Sequence, residues 1–166
     1  MCHRIAAVFD HAGPAATLVK KMEKGSQLDL AKGAAAFLAL QLAGLGWPLP
    51  DVIVPVPISF VRWLQRGYNQ RFLLAKSLGK LINRPVRRVL KRVSEEYRQE
   101  EGPCRQRFLL SPRSFRLTKR RDLQDQTLLL VDDVMTTGRT LRCCAETLLE
   151  GYPKRIYGLT LCRAMQ

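Results

Sequence analysis

Acidic residues are scarce in this sequence. Its 14 Asp and Glu residues stand against 28 Lys and Arg residues, which gives the 166-residue chain a formal charge of +14 at pH 7. A surplus of this size attracts polyanions. Nucleic acid, phosphorylated metabolites and anionic membrane surfaces are therefore all reasonable partners, and charge alone does not choose among them.

Long apolar runs are also missing. The longest uncharged stretch, 33–50, is rich in Ala and Gly, includes Gln41 and ends in Trp-Pro-Leu-Pro. It is short and weakly hydrophobic for a bilayer span, which needs about 20 apolar residues. The N-terminus has no basic region ahead of an apolar core, so it does not have the form of a signal peptide. We therefore predict no membrane insertion and a cytoplasmic location.

Two common site motifs are absent as well. No two of the five cysteines have CxxC spacing, so we predict free thiols and no metal held by protein side chains alone. In the adjacent pair Cys143 and Cys144, one thiol should face the core and the other the solvent. A GxxxxGK[ST] segment occurs nowhere, which removes the partner that a Walker B acid requires.

Short apolar strands alternate with amphipathic helical segments. Strands are predicted from Asp51 up to the prolines at 55 and 57, and over 86–93, 127–131 and 155–161. Helical spacing is found in three segments, namely Leu30, Ala34, Phe37, Leu38 and Leu42; Phe72, Ala75, Leu78 and Leu81; and residues 140–149. This alternation predicts an α/β fold with a parallel sheet covered by helices. We expect one domain over 1–166, with a helical part at 1–50, a sheet core at 51–166 and a basic loop at about 94–125.

The informative stretch is 128–140, Leu-Leu-Leu-Val-Asp-Asp-Val-Met-Thr-Thr-Gly-Arg-Thr. A buried strand delivers Asp132 and Asp133 to its carboxyl end, where open α/β sheets place ligands. A turn of small hydroxyl residues follows, and Gly138 is free to take a positive φ. A helix then begins, and its first amides form a cradle for anions. Two acids beside a phosphate cradle suit a sugar phosphate.

Other readings of the acidic pair remain open at this point. An Asp-Asp after a strand can be a helix cap or a metal-binding strand end, and a purely structural turn is the plainest alternative. A response-regulator pocket also begins with a strand and two acids, but it lies at the start of its domain. Here too little chain follows Asp133 to complete that fold.

The run from Val131 to Thr140 resembles the phosphoribosyl-pyrophosphate motif of type I phosphoribosyltransferases. A second match, Val54-Pro-Val-Pro-Ile-Ser followed by Arg66-Gly-Tyr-Asn-Gln70, resembles the ComF family of competence-associated, phosphoribosyltransferase-like proteins. The resemblance implies the parallel-sheet, three-layer fold of type I phosphoribosyltransferases. ComF proteins commonly carry an N-terminal four-cysteine zinc module, which this sequence does not contain.

The resemblance also implies a site. Asp132 and Asp133 would support the ribose of phosphoribosyl pyrophosphate, with Mg²⁺ held chiefly by substrate oxygens and water. The 5′-phosphate would bind at Met135, Thr136, Thr137, Gly138, Arg139 and Thr140. The pyrophosphate would bind at Val56, Pro57 and Ile58, through the amides of Val56 and Ile58, with Arg66, Lys91 and Arg92 as the cations. The site wall would include Asn69, Gln70, Gln99 and Arg105. The plainer readings are solvated surface charge for each cation and helix capping for Asn69 and Gln70.

The resemblance further implies a probable transferase whose acceptor is not identified, together with partners in the DNA-uptake machinery. The basic stretch supports a second hypothesis, because Tyr97, Phe108 and Phe115 are interleaved with its Lys and Arg residues. Aromatic rings stack on bases while cations follow phosphates, as in non-specific single-strand binders. Under this second hypothesis, the chain is a non-catalytic single-stranded-DNA-binding module with a vestigial or regulatory sugar-phosphate site. A solvated basic face is the plainer reading.

Overall fold

The computed structural model describes residues 2–24, 28–59, 63–64, 67–93, 112–119 and 123–164. The predicted site residues Arg66, Gln99 and Arg105 and most of the basic stretch, including Tyr97 and Phe108, lie outside these ranges. The strands are β1 (Arg4–Asp10), β2 (Val52–Pro55), β3 (Leu90–Arg92), β4 (Phe115–Leu117), β5 (Thr127–Met135) and β6 (Arg155–Arg163). The helices are α1 (Gly13–Lys24), α2 (Leu28–Gly44), α3 (Gln70–Leu81) and α4 (Arg139–Leu148).

Four strands form a parallel sheet in the order β1-β6-β5-β2. Because successive side chains of a strand point to opposite faces, β5 serves two cores. Leu129 and Val131 pack with α1, α2 and α3 on one face, and Leu128 and Leu130 pack with α4 and the β3–β4 hairpin on the other. The predicted α/β fold with a covered parallel sheet is confirmed.

The N-terminal part differs from the prediction of a helical segment over 1–50. Residues 4–10 form the edge strand β1, which pairs in parallel with β6. The apolar run from Ile5 to Phe9 is too short for periodicity to separate strand from helix. Pairing with the free edge of β6 makes this segment a strand. Residues 13–24 and 28–44 are helical, as expected for this region.

The strand predicted over 86–93 is also only partly present. Val86 makes a single bridge to Ile53, held between the hydrogen bonds from Ile53 N–H to Pro85 O and from Arg87 N–H to Ile53 O. The chain then leaves the main sheet, and β3 pairs antiparallel with β4. β3 and β4 thus form a separate two-stranded sheet, called the flap, outside the main sheet.

Four details of side-chain burial were predicted wrongly. Phe115, expected to stack on bases, is buried in the core that α4 forms with the sheet. Leu81 is exposed on α3 while Leu74 is fully buried, so the apolar stripe is rotated from its predicted position; on α2, Phe37 is exposed. Cys143 and Cys144 are both buried, because α4 contacts β4 and the turn at 112–114 as well as the sheet. In the described part of the chain, no helix has the length and apolarity needed to cross a bilayer.

Candidate functional site

Asp132 and Asp133 lie at the carboxyl end of the central strand β5. The strand continues through both acids to Met135, and Asp132 is paired with Thr160 of β6. Only 2% of Asp132 and 4% of Asp133 is exposed. Carboxylates this deeply buried require partners, since burial disfavours the charged form.

Arg71, in the first turn of α3, is that partner. Its Nε lies 2.7 Å from Oδ1 of Asp132 and 3.0 Å from Oδ1 of Asp133. One guanidinium therefore bridges two acids that are 61 and 62 positions away along the chain. The side chain also reaches the carbonyl of Pro57, at 3.5 Å from Nη1. Arg71 thus joins the acidic strand end to the loop that follows β2.

The two residues before Arg71 complete this connection. Asn69 caps α3, because its side-chain oxygen accepts hydrogen bonds from the N–H groups of Arg71 and Phe72. Gln70 is buried, and its Nε2 donates to Oδ2 of Asp133. Capping is thus the role of Asn69 in this structure, whereas Gln70 turns inward. The other side-chain oxygen of Gln70, Oε1, is buried without a hydrogen-bond partner in the described structure.

Hydrogen-bond donors surround the acids unevenly. Oδ1 of Asp132 accepts from the N–H of Asp133, and Oδ1 of Asp133 accepts from the N–H of Val134, both at 2.9 Å. With the contacts of Arg71 and Gln70, three of the four carboxylate oxygens have nitrogen donors. Within the described residues, Oδ2 of Asp132 has none. This atom is the acceptor that the cluster leaves for a ligand.

Burial and charge shift the pKa values of the two acids in opposite directions. Burial raises the pKa of Asp132 to about 7, although the charge of Arg71 opposes the shift. Burial also acts to raise the pKa of Asp133, but Arg71 and hydrogen bonds from its neighbours outweigh burial and lower it. Although burial opposes its charge, the two carboxylates raise the pKa of Arg71, which stays charged. The acids therefore titrate as a pair in which Asp133 keeps its charge and Asp132 exchanges the proton near neutral pH.

The turn after β5 opens directly onto α4. Gly138 is the N-cap, with φ +72° and no side-chain cap bond. A Cβ at this position would lie 3.4 Å from Sδ of Met135, so the turn is close-packed as well as left-handed. Thr136 and Thr137 are exposed, and Oγ1 of Thr137 accepts a 3.4 Å hydrogen bond from the N–H of Arg139. The first intrahelical bond runs from Arg142 N–H to Gly138 O, which leaves the preceding amides without intrahelical acceptors.

The loop after β2 lies beside a pocket of about 370 Å³. Its walls combine prolines and apolar residues with three cations. The residues that line it are Pro55, Pro57, Ile58, Trp63, Asn69, Arg88, Leu90, Lys91 and Arg92. Five of the predicted site residues, Pro57, Ile58, Asn69, Lys91 and Arg92, are therefore brought together here. The β3 strand carries the last two, so the hairpin forms one wall.

Val56 does not fit its predicted part. Its N–H donates to Val131 O at 3.0 Å, and the residue, which directly follows β2, is completely buried. An amide already used in the sheet cannot also bind a phosphate, so Val56 is withdrawn from the predicted set. Ile58 is half-buried and lines the pocket, and its amide remains a candidate donor.

The surroundings of the two acids favour a metal ion that enters bound to a substrate over one held by protein side chains alone. In the described part of the chain, no three His, Cys, Asp or Glu side chains cluster as metal ligands do. Arg71 already neutralises one of the two negative charges. A Mg²⁺ ion would therefore draw most of its ligands from phosphate oxygens and water, as is usual for this ion.

Sequence reasoning missed Arg71. Its position in an amphipathic helix is typical of a solvated cation, and only the fold brings the start of α3 to the end of β5. A signal existed in the preceding residues, because Asn69 marks the first turn of a helix and a polar Gln70 sits on its buried side. A cation beside a buried polar residue suggests an acidic partner.

Comparisons with known proteins place the chain in the phosphoribosyl transferase domain family. The phosphoribosyl transferase domain family matches residues 34–166. The DNA utilization protein YhgH of Escherichia coli K12 is 29% identical over 171 residues, which cover 98% of this chain and 73% of that protein. Competence protein ComFC of Bacillus subtilis is 36% identical over 114 residues, which cover 68% of this chain and 45% of that protein.

Solved structures share the fold at low sequence identity. A hypothetical protein from Neisseria gonorrhoeae with bound ppGpp has a TM-score of 0.53 and 16% identity, over 83% of this chain and 69% of that chain. The allosteric regulatory enzyme of purine biosynthesis has a TM-score of 0.51 and 17% identity, over 79% of this chain and 26% of that chain. At this identity the likeness concerns the fold alone.

Proposed function

Because this chain belongs to the phosphoribosyl transferase domain family and is ComF-like, we propose that it binds phosphoribosyl pyrophosphate at the end of β5. One observation carries the proposal: a buried acidic pair is followed at once by a tight turn and an uncapped helix start. Acceptors for hydroxyl groups and donors for a phosphate thus lie within one continuous stretch. A ribose 5-phosphate unit presents that combination.

The ribose would lie over Asp132. Its hydroxyls would donate to Oδ2 of Asp132, the acceptor without a nitrogen donor, while Arg71 and Gln70 hold Asp133 in place. Arg71 would also lower the repulsion between the acids and a ligand with many negative charges.

The 5′-phosphate would bind in the turn from Met135 to Thr140. Amides at the start of α4 and the hydroxyls of Thr136, Thr137 and Thr140 are its proposed donors, and the positive end of the helix dipole favours the anion. Gly138 lets the backbone approach closely, because glycine has no Cβ and adopts the left-handed conformation of this turn without strain. Arg139, exposed at the first helical position, adds a positive charge.

The pyrophosphate would occupy the pocket beside the β2 loop. Arg88, Lys91 and Arg92 give this pocket its charge, and the amide of Ile58 is a proposed donor. Arg66, together with Gln99 and Arg105 for the site wall, remains a prediction from the sequence. Bound with the substrate, Mg²⁺ would neutralise part of the pyrophosphate charge.

We propose a transferase reaction at C1 of the ribose. The bond from C1 to the pyrophosphate oxygen breaks, and the oxygen leaves with the bonding pair toward the cations of the pocket. The acceptor's nucleophile forms the new bond to C1. Asp132 and Asp133 would stabilise the positive charge that develops on the ribose, because fixed charges in a buried site need no reorganisation. The acceptor stays unassigned.

Calorimetric titration with phosphoribosyl pyrophosphate and Mg²⁺ tests the proposal. Asp132→Asn should weaken binding roughly 10- to 150-fold, since a hydrogen bond to a charged group contributes about 1.5–3 kcal/mol. Asp125→Asn is the matched control. Asp125 is exposed, lies before the opposite end of β5 and has φ +58°, which Asn tolerates. Equal binding by both variants, or no binding by wild type, would refute the proposal.

DNA uptake is the proposed setting, because the names of two relatives refer to DNA utilization and competence. A second function, binding of single-stranded DNA, is favoured by Trp63. This ring is 45% exposed and lines the pocket together with Arg88, Lys91 and Arg92, so a base can stack on it while cations hold phosphates. If about six phosphates are neutralised, the slope of log affinity against log salt should be near −4. A salt-independent affinity would count against it.

A further inference from the structure

The outer edge of β1 is an unused strand edge. The N–H of His11 donates to Arg163 O at 2.7 Å, which fixes the side of β1 that faces β6. Since N–H groups alternate along a strand, those of Arg4, Ala6, Val8 and Asp10 point away from the sheet. No strand in the described part of the chain pairs with them.

This edge lacks the features with which proteins protect exposed strands. Such features include prolines, lysines, bulges and charges pointing inward. Between Ile5 and Phe9 the strand is entirely apolar, and its only charges are Arg4 at one end and Asp10 at the other. Both end residues are exposed, and neither forms an ion pair with another described residue.

The order of residues in β1 is self-complementary, and we propose that this edge pairs with β1 of a second copy of the chain. In an antiparallel pair with Ala7 on the two-fold axis, Arg4 lies opposite the partner's Asp10. Ala6 then lies opposite the partner's Val8, and both residues have outward N–H groups, while the carbonyl of Ala6 also accepts from Oγ1 of Thr160 at 3.5 Å. This register is the one that overlaps all seven residues and also matches opposite charges.

The paired strands would be complementary on one face. Arg4 and Asp10 share this face with Ala6 and Val8, so the dimer has an ion pair at each end and small apolar pairs between. Ile5 lies opposite the partner's Phe9, but Phe9 packs with the core of α1, α2 and α3 and lies edge-on to Phe37, whereas Ile5 packs with the core on the other side of the sheet. A one-residue slip would place inward-facing N–H groups opposite outward-facing ones, which prevents a regular ladder.

The net charge of the chain opposes association, so a second copy must be held by local ion pairs. Two molecules of formal charge +14 repel each other, and salt screens this repulsion over about 8 Å at physiological ionic strength. A contact that brings two Arg–Asp pairs together offsets part of it locally. The result is an eight-stranded sheet across the two-fold axis. The antiparallel pairing would place the two candidate sites at opposite ends of this sheet. In each copy Asp10 lies at the same end of the sheet as Met135, and Arg4 lies at the other end.

Sedimentation velocity of the 166-residue chain over a range of concentrations tests the pairing. Wild type should dimerise reversibly. Val8→Pro removes an outward N–H without touching the bonds to β6, a position at which an edge strand tolerates proline, and should leave a monomer with an unchanged circular dichroism spectrum. A wild-type monomer at every concentration, or a dimer that survives Val8→Pro, would overturn the proposal.

Charge exchange provides a test that does not depend on proline. Arg4→Asp and Asp10→Arg each place like charges at both ends of the pair, and each should raise the dimer dissociation constant about tenfold or more. The double variant Arg4→Asp/Asp10→Arg restores the complementarity and should dimerise like wild type. Lys154→Asp, an exposed charge reversal at the loop before β6, is the control and should have little effect. Additive weakening in the double variant would contradict the register. Val8 and Asp10 line a groove with Met135 of the proposed 5′-phosphate turn, whereas Arg4 lies at the opposite end of β1. Arg4→Asp is therefore the variant in which ligand binding and pairing can fail separately.

Discussion

The Nε of Arg71 lies 2.7 Å from Oδ1 of Asp132, in a cluster from which solvent is almost excluded. The same atom contacts Asp133, so the acids that define the candidate site are held by a helix as well as by N–H groups of their own strand. This contact connects α3, β5 and the β2 loop. It orders the site before any ligand arrives, and it sets the charge that a ligand meets.

Replacement of Arg71 should therefore reduce stability strongly. Arg71→Leu leaves two buried carboxylates without a cation, and removing one partner of a buried ion pair costs about 3–5 kcal/mol. The loss should shrink at lower pH, because protonated acids need no countercharge. Urea unfolding at pH 5 and pH 7.5 measures both effects. Lys76→Met, on the exposed side of the same helix, should change stability little; an equal loss in both variants would contradict the role given to Arg71.

The raised pKa of Asp132 predicts that this acid lowers stability at neutral pH. Its pKa is about 7 in the folded protein against 3.8 ordinarily, so the folded state binds its proton more tightly. By linkage, this contribution to the free energy of unfolding is present below about pH 4 and is lost as pH rises toward 7. Asp133, with a lowered pKa, contributes in the opposite sense, and its contribution is lost in acid.

Asp132→Asn tests this sign directly. The difference in unfolding free energy, variant minus wild type, should become more favourable to the variant between pH 5 and pH 8. The same variant should bind ligand more weakly, as expected where a site is maintained at the expense of stability. A difference that stays constant with pH would show that Asp132 does not titrate in this range.

Two glycines in helices offer a matched test of packing. A Cβ on Gly79 of α3 would lie 2.7 Å from Arg84 O and 2.7 Å from Cγ2 of Val86, so Gly79→Ala forces α3 away from the turn that leads to the flap. Overpacking of this kind costs about 1–3 kcal/mol. Gly33 in α2 has no atom near that position, and Gly33→Ala should stabilise by about 0.5–1 kcal/mol. Thermal unfolding of the two variants should shift in opposite directions; shifts in the same direction would be inconsistent with this packing.

The strand and turn of the candidate site could be predicted because their signals are local. A continuous apolar run into Asp132, followed by Thr-Thr-Gly, specifies a buried strand, its exit and the turn within a few residues. Even so, β5 proved longer than its apolar part. The ladder with β6 continues through both acids to Met135, because backbone pairing does not depend on side-chain polarity.

The remaining features depend on contacts between distant segments. Arg71 meets Asp132 only after α3 packs on the sheet, and β1 becomes a strand only because β6 offers it an edge. Val56 lost its predicted role for the same reason, since its amide is used by Val131 of a neighbouring strand. Neither helical nor strand periodicity carries information of this kind.

Hydrogen exchange at the start of α4 tests the central claim most directly. The amides of Thr140 and Leu141 have no intrahelical acceptor and should exchange rapidly in the free protein. With phosphoribosyl pyrophosphate and Mg²⁺ at saturation, exchange over residues 137–141 should slow at least about tenfold, because the 5′-phosphate accepts from these amides. Unchanged exchange in this turn, with protection only at 86–93 or at no described residue, would contradict a phosphate site at the end of β5.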